Sequence, residues 1–128
     1  MRTDYSVNIS GIYGVDELPV KDEIRVKDFT SFTQVEELVK NGTKFKPAWL
    51  TILDVHNEKS ENTDYQVFVL RTEDGGMYYT SSESFVESLK DIIELKDRLN
   101  ASGEEWDVVI NEFKSKNNTG CFYKAVLI

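Results

Sequence analysis

A chain of 128 residues with 40% hydrophobic and 12% aromatic content carries enough apolar material for one core, which argues against intrinsic disorder despite 30% charged side chains. Its single cysteine excludes an internal disulfide, and one cysteine with one histidine excludes zinc sites built from several of either. The net charge of −8 weighs against a nucleic-acid ligand on average, yet residues 61–105 hold four basic and eleven acidic side chains, whereas residues 24–60 hold six and five, and residues 106–128 hold three and two. A positive groove on a negative body is therefore permitted. No apolar run approaches the ~18 residues of a membrane span, and no signal-peptide stretch opens the chain, so a cytoplasmic location is expected.

In chain order, a short strand is expected around Val7–Ile12, followed by a loop with Gly14 and Pro19. Ile24-Arg-Val26-Lys-Asp-Phe29 alternates apolar and charged residues, the pattern of a half-buried strand. Thr33 is positioned to cap a helix over Gln34–Lys40 that Gly42 ends in a left-handed conformation. After the basic turn Lys44-Phe45-Lys46-Pro47, the segment Trp49–His56 predicts a strong strand, with Trp49, Thr51, Leu53 and Val55 on one face. Tyr65–Arg71 predicts its neighbour, Glu73-Asp-Gly-Gly76 a hairpin turn, and Met77–Thr80 the returning strand. Thr80, Ser81 and Ser82 offer caps for a helix from about Ser82 to about Leu99, with Thr80 and Glu83 at capping-box spacing and Phe85, Leu89, Ile92 and Leu99 at helical period. Two final β-type runs, around Trp106–Ile110 and Phe122–Ile128, flank the loop Phe113-Lys-Ser-Lys-Asn-Asn-Thr-Gly120.

The chain reads as a single domain, 1–128, of the α+β type and mainly β. From residue 48 the order strand, strand, strand, helix, strand, strand is that of an OB-like five-stranded barrel with its helix between the third and fourth strands. Residues 1–47 then form a strand-helix extension packed on the 48–128 core. An open α+β sandwich has the same element order, because order alone does not decide closure.

Two segments carry a family resemblance. Tyr79-Thr80-Ser81-Ser82-Glu83-Ser84-Phe85, opening a helix through Asp91-Ile92, resembles the strand-to-helix junction of small single-stranded-DNA-binding proteins of phages and plasmids of Gram-positive bacteria. Lys114-Ser115-Lys116-Asn117 with Gly120-Cys121-Phe122 resembles their terminal hairpin. The resemblance spans roughly Leu50 to Ile128 and implies an OB-fold that binds single-stranded DNA in replication or recombination. The chain departs from the pattern in its 47-residue leader and in the absence of an acidic tail for recruiting partners.

Single-strand binders combine lysines and arginines that track phosphates with aromatic faces that stack bases. The candidate cations are Lys44, Lys46, Arg71, Lys114, Lys116 and Lys124. Asn117 sits in the loop of the resemblance, and Phe122, Tyr65, Tyr78 and Trp49 are the candidate rings. Lys124 lies inside an apolar strand on the face of Phe122, where a phosphate could sit beside a stacked base; edge-strand protection is the alternative. Packing competes with stacking for each tyrosine, and Trp106 reads as mainly structural. His56, with Asp54 two residues before it, lacks a nucleophile elbow or oxyanion loop and reads as a surface residue. The acids Glu58, Glu61, Asp64, Glu73 and Asp74 lack calcium-loop spacing. No catalytic residues, cofactor or metal are therefore expected. The leading function is sequence-independent single-stranded DNA binding without catalysis, with replication or recombination proteins as further partners and a homo-oligomer left open. The competing function is an acidic protein-binding module, such as a DNA mimic that inhibits a host DNA-processing enzyme.

Overall fold

A computed structural model describes residues 5–59, 61, 63–114 and 121–128, with the side chains of Lys114 and Cys121 outside that description. Its axis is strand β3 (Pro47–Asn57), which pairs antiparallel with β1 (Tyr5–Tyr13) on one side and β4 (Asp64–Thr72) on the other. Between β1 and β3 come α1 (Val20–Arg25), a 3-10 helix (Val26–Ser31), the two-residue β2 (Thr33–Gln34) and α2 (Glu36–Asn41). After β4 come β5 (Met77–Thr80), α3 (Glu83–Glu94), α4 (Lys96–Ala101), β6 (Val108–Lys114) and β7 (Cys121–Leu127).

Five strands form one sheet in the order β1-β3-β4-β5-β2, and β6 with β7 forms a separate two-stranded ribbon. The α+β composition expected from the sequence is present, but the barrel is not closed. Among the described residues, one antiparallel bridge, Phe45 to Val108, joins the lead-in of β3 to β6, with N···O distances of 2.9 and 2.8 Å. The outer edge of β7 meets α3 instead of β5: Ser84 Oγ donates to the Tyr123 carbonyl (3.2 Å), and Ser88 Oγ accepts from the Ala125 N–H (2.8 Å). Two hydroxyls one helical turn apart thus satisfy edge groups that a closing strand would otherwise take.

The main sheet is covered on both faces. On one side Leu50, Phe68 and Leu70 pack with Phe85, Val86, Leu89, Ile92 and Ile93 of α3 and with Val108, Ile110 and Ala125 of the ribbon. On the other, Trp49, Leu53, Val55, Val67 and Val69 pack with Leu18, Val26 and Phe29. Double coverage explains why β3 and β4 read as near-continuous apolar runs.

Local chemistry explains most boundaries. The β4–β5 turn places Gly75 at φ +99°, which glycine adopts without steric cost, and the Thr72 hydroxyl donates to Asp74. That bond, with a second from the Gly76 N–H, holds the Asp74 carboxyl below its ordinary range. Gly42 ends α2 at φ +61°, as the sequence suggests.

Three expectations are corrected. Ile24–Phe29 is not a strand: α1 and the 3-10 helix cover it, and its buried residues are Val26 and Phe29, three apart, while Ile24 is 70% exposed. Thr33 does not cap α2, which begins three residues later behind Val35; Thr33 instead pairs in β2 with Tyr78. The long helix is two helices broken at Leu95 (φ −94°, ψ −2°), and its cap is Ser82, whose hydroxyl accepts from the Phe85 N–H, while Thr80 accepts from the Ser82 N–H. The break places Lys96 against the start of β3, 3.2 Å from the Ala48 carbonyl.

Candidate nucleic-acid interface

The ribbon has two unlike faces because its side chains alternate. Val108, Ile110 and Ala125 point into the core, so Val109, Asn111 and Phe113 of β6 and Phe122, Lys124 and Val126 of β7 share the outer face. Register sets Phe113 opposite Phe122, Asn111 opposite Lys124, and Val109 opposite Val126. The two phenyl rings stack at 5.6 Å between centroids with 22° between planes, and Lys124 Nζ lies 5.8 Å from the Phe122 centroid. Phe113 is 40% exposed and Lys124 is exposed.

The Phe45–Val108 bridge extends this face by one short strand. Phe45 is buried, so alternation directs its neighbours Lys44 and Lys46 to the outer side. Lys46 Nζ lies 3.4 Å from Asp107 Oδ1 and 5.7 Å from the Trp106 ring centroid. The Asp107 carboxylate is thus ion-paired. Lys44 and Lys46 at one end and Phe122 and Lys124 further along thus lie on this outer face, joined by Asn111 and Phe113, which the sequence reading omitted. The signal for Phe113 lay in the alternation of β6, but its pairing with Phe122 depends on register across the hairpin.

The remaining candidates lie elsewhere. Trp49 is 4% exposed within the core that Leu18, Val26 and Phe29 help to form, so its ring presents no face to a base. Tyr65 is half-buried against the same cluster and Tyr78 against the opposite one, so the two tyrosines lie on opposite faces of the main sheet. Arg71 is half-buried beside the β4–β5 turn, its Nη2 3.8 Å from where a side chain on Gly75 would begin. The Lys114 side chain, Lys116 and Asn117 lie outside the described residues.

At the far end of β3 and β4, an open pocket of about 430 Å³ is lined by Ser6, Asn8, Asp54, Val55, His56, Asp64, Tyr65 and Gln66. His56 Nδ1 is 2.7 Å from Asp64 Oδ1, and Nε2 is 3.6 Å from Glu58 Oε1. The Asp64 hydrogen bond, aided by Glu58, raises the imidazole above its ordinary value. Among the described residues, no three His, Cys, Asp or Glu side chains gather as a metal site. Among the described residues, no helix is long and apolar enough to cross a membrane. The acids Glu83, Glu87, Asp91 and Glu94 line the exposed side of α3, opposite its buried stripe.

A family model described as phage single-stranded DNA-binding protein matches residues 45–124, well over half of the chain. The chain belongs to that family. The match begins at Phe45, so it contains Lys46, β3 through β6, all of α3 and α4, and β7 as far as Lys124. Residues 5–44, which supply β1, α1, β2 and α2, precede the family's span. No curated protein and no solved structure matches the chain.

Proposed function

We propose that the protein binds single-stranded DNA without sequence preference and without catalysis, as a cytoplasmic accessory to replication or recombination of a phage or plasmid genome. The family match carries this reading, and the outer ribbon face supports it. Lys44, Lys46 and Lys124 supply positive charge along one side of an acidic molecule, and Phe122 supplies a flat ring beside Lys124. Phosphate contacts of this kind provide affinity but no sequence readout. The competing function, an acidic mimic of DNA, is not supported by the family match.

Titration of a labelled thymidine oligomer at low salt tests the reading, and log affinity should fall linearly with log salt. Replacing Lys46 and Lys124 together by alanine should lower the magnitude of that slope by about 0.7 for each lost phosphate contact on a single strand. No binding at low salt would refute the proposal. An unchanged slope would remove these lysines from the interface.

A further inference from the structure

The outer face of the ribbon carries an aromatic pair that lies outside both core clusters. The inner face of β6–β7 packs on α3 and the main sheet, whereas Phe113 and Phe122 turn outward and stack on each other, with Phe113 still 40% exposed. Val109 and Val126 continue this floor, and Asn111 and Lys124 stand across from one another between the valines and the rings. Rings left at the surface of a hairpin gain little by burial and present a π-face to a ligand.

We propose that Phe113 and Phe122 form a stacking platform for an unpaired base, and that Phe113 is the residue by which this protein distinguishes single strands from duplex. The inference rests on the reading that the chain binds single strands, and adds to it the residue that sets the preference. A base within a duplex has both faces covered by its neighbours, so it has none left for a phenyl ring. An unpaired base can unstack and lie on Phe113, extending the pair already formed with Phe122. Lys124, beside the Phe122 ring, is placed to meet the phosphate of the same nucleotide. Phosphate charge is common to both forms of DNA, so the lysine contributes to binding either one. The ring contributes only to binding the single strand. Asn111 adds a neutral hydrogen-bonding amide opposite Lys124, suited to a base edge or a sugar.

The test uses the full chain and compares a labelled thymidine oligomer with a duplex of equal length at one fixed salt concentration. Phe113→Ala and Phe113→Leu should each weaken single-strand binding by about tenfold, within the range that truncation of a stacking ring produces, and leave duplex binding unchanged. Phe113→Tyr should restore single-strand binding, because the π-face returns. Lys124→Ala should weaken both ligands together. Leucine keeps a large apolar group against Phe122, so that variant retains the hairpin and decides the matter even where the alanine variant is unstable. Full single-strand affinity in Phe113→Leu, or equal losses on both ligands, would overturn the platform. A wild-type dimer that becomes monomeric in Phe113→Leu, measured by light scattering, would assign the rings to a second copy and overturn it as well. Failure of the wild-type chain to bind the oligomer would instead overturn the underlying function.

Discussion

The hydroxyl of Ser88 is predicted to be a principal fastening of the ribbon to the rest of the fold. It accepts from the Ala125 N–H at 2.8 Å and donates to the Phe85 carbonyl at 2.7 Å, and Ala125 is 8% exposed. Ser88→Ala removes the acceptor and leaves that N–H facing a methyl group, with little access to water. An unsatisfied buried donor costs about 1–3 kcal/mol. Alanine is the better helix former, which returns up to about 0.5 kcal/mol at an interior helix position. The expected net loss is about 0.5–3 kcal/mol. Ser84→Ala should cost less, about 0.5–1 kcal/mol, because the Tyr123 carbonyl belongs to a half-buried residue that water can reach. The two serines hold the same strand edge, so the double variant should depart from additivity. Equilibrium urea unfolding of the full chain measures each value, with Ser88→Thr as the control that retains a hydroxyl. If Ser88→Ala matches or exceeds wild-type stability while Ser88→Thr behaves identically, the serine edge does not hold β7 and the reasoning is wrong.

Three further outcomes are expected. Trp49→Phe should cost about 1–3 kcal/mol in denaturant unfolding yet leave oligomer affinity unchanged, because the indole is buried away from the ribbon face; a clear loss of affinity in a folded variant would restore it to the interface. Gly14→Ala should destabilise by more than about 1 kcal/mol, since the residue has φ +95° and a methyl group there would lie 2.8 Å from the Ala48 carbonyl, checked by thermal unfolding. His56 should titrate above 6.5 in NMR spectra, chiefly because of its hydrogen bond to Asp64. The folded value is raised, so the stabilisation is full below 6.5 and disappears as pH rises through the folded value. A midpoint at or below 6.5, or an unchanged midpoint in Asp64→Asn, would contradict that pairing.

The strands most visible in the sequence were those whose neighbours lie nearby. Tyr65–Arg71, Asp74-Gly75 and Met77–Thr80 make a local hairpin, and the alternation of their side chains matches the faces on which they lie. Ile24–Phe29 failed because two apolar residues two apart look like a strand over so short a stretch, whereas burial there follows Val26 and Phe29. Barrel closure was illegible for a different reason. The edge of β7 meets α3 through Ser84 and Ser88, whose spacing is unremarkable until α3 lies across the ribbon. Trp49 stood as a candidate ring because its own strand does not show what covers it; the cover comes from residues 18–29, some twenty residues or more upstream. Of the candidate interface, Lys124 and Phe122 were readable from a single strand. Phe113 required knowledge of the cross-strand register.

The pairing of β1 with Leu50–Asn57 of β3 bears on where this protein could be divided. A fragment starting at Phe45 would contain every residue of the family match, yet it would lose Val7, Leu18, Val26 and Phe29. Leu53, Val55, Val67 and Val69 would then meet water, and β3 would become a long bare margin suited to recruiting strands from other molecules. The stretch that the family match spans and the stretch that covers both faces of the sheet are, for this chain, different lengths.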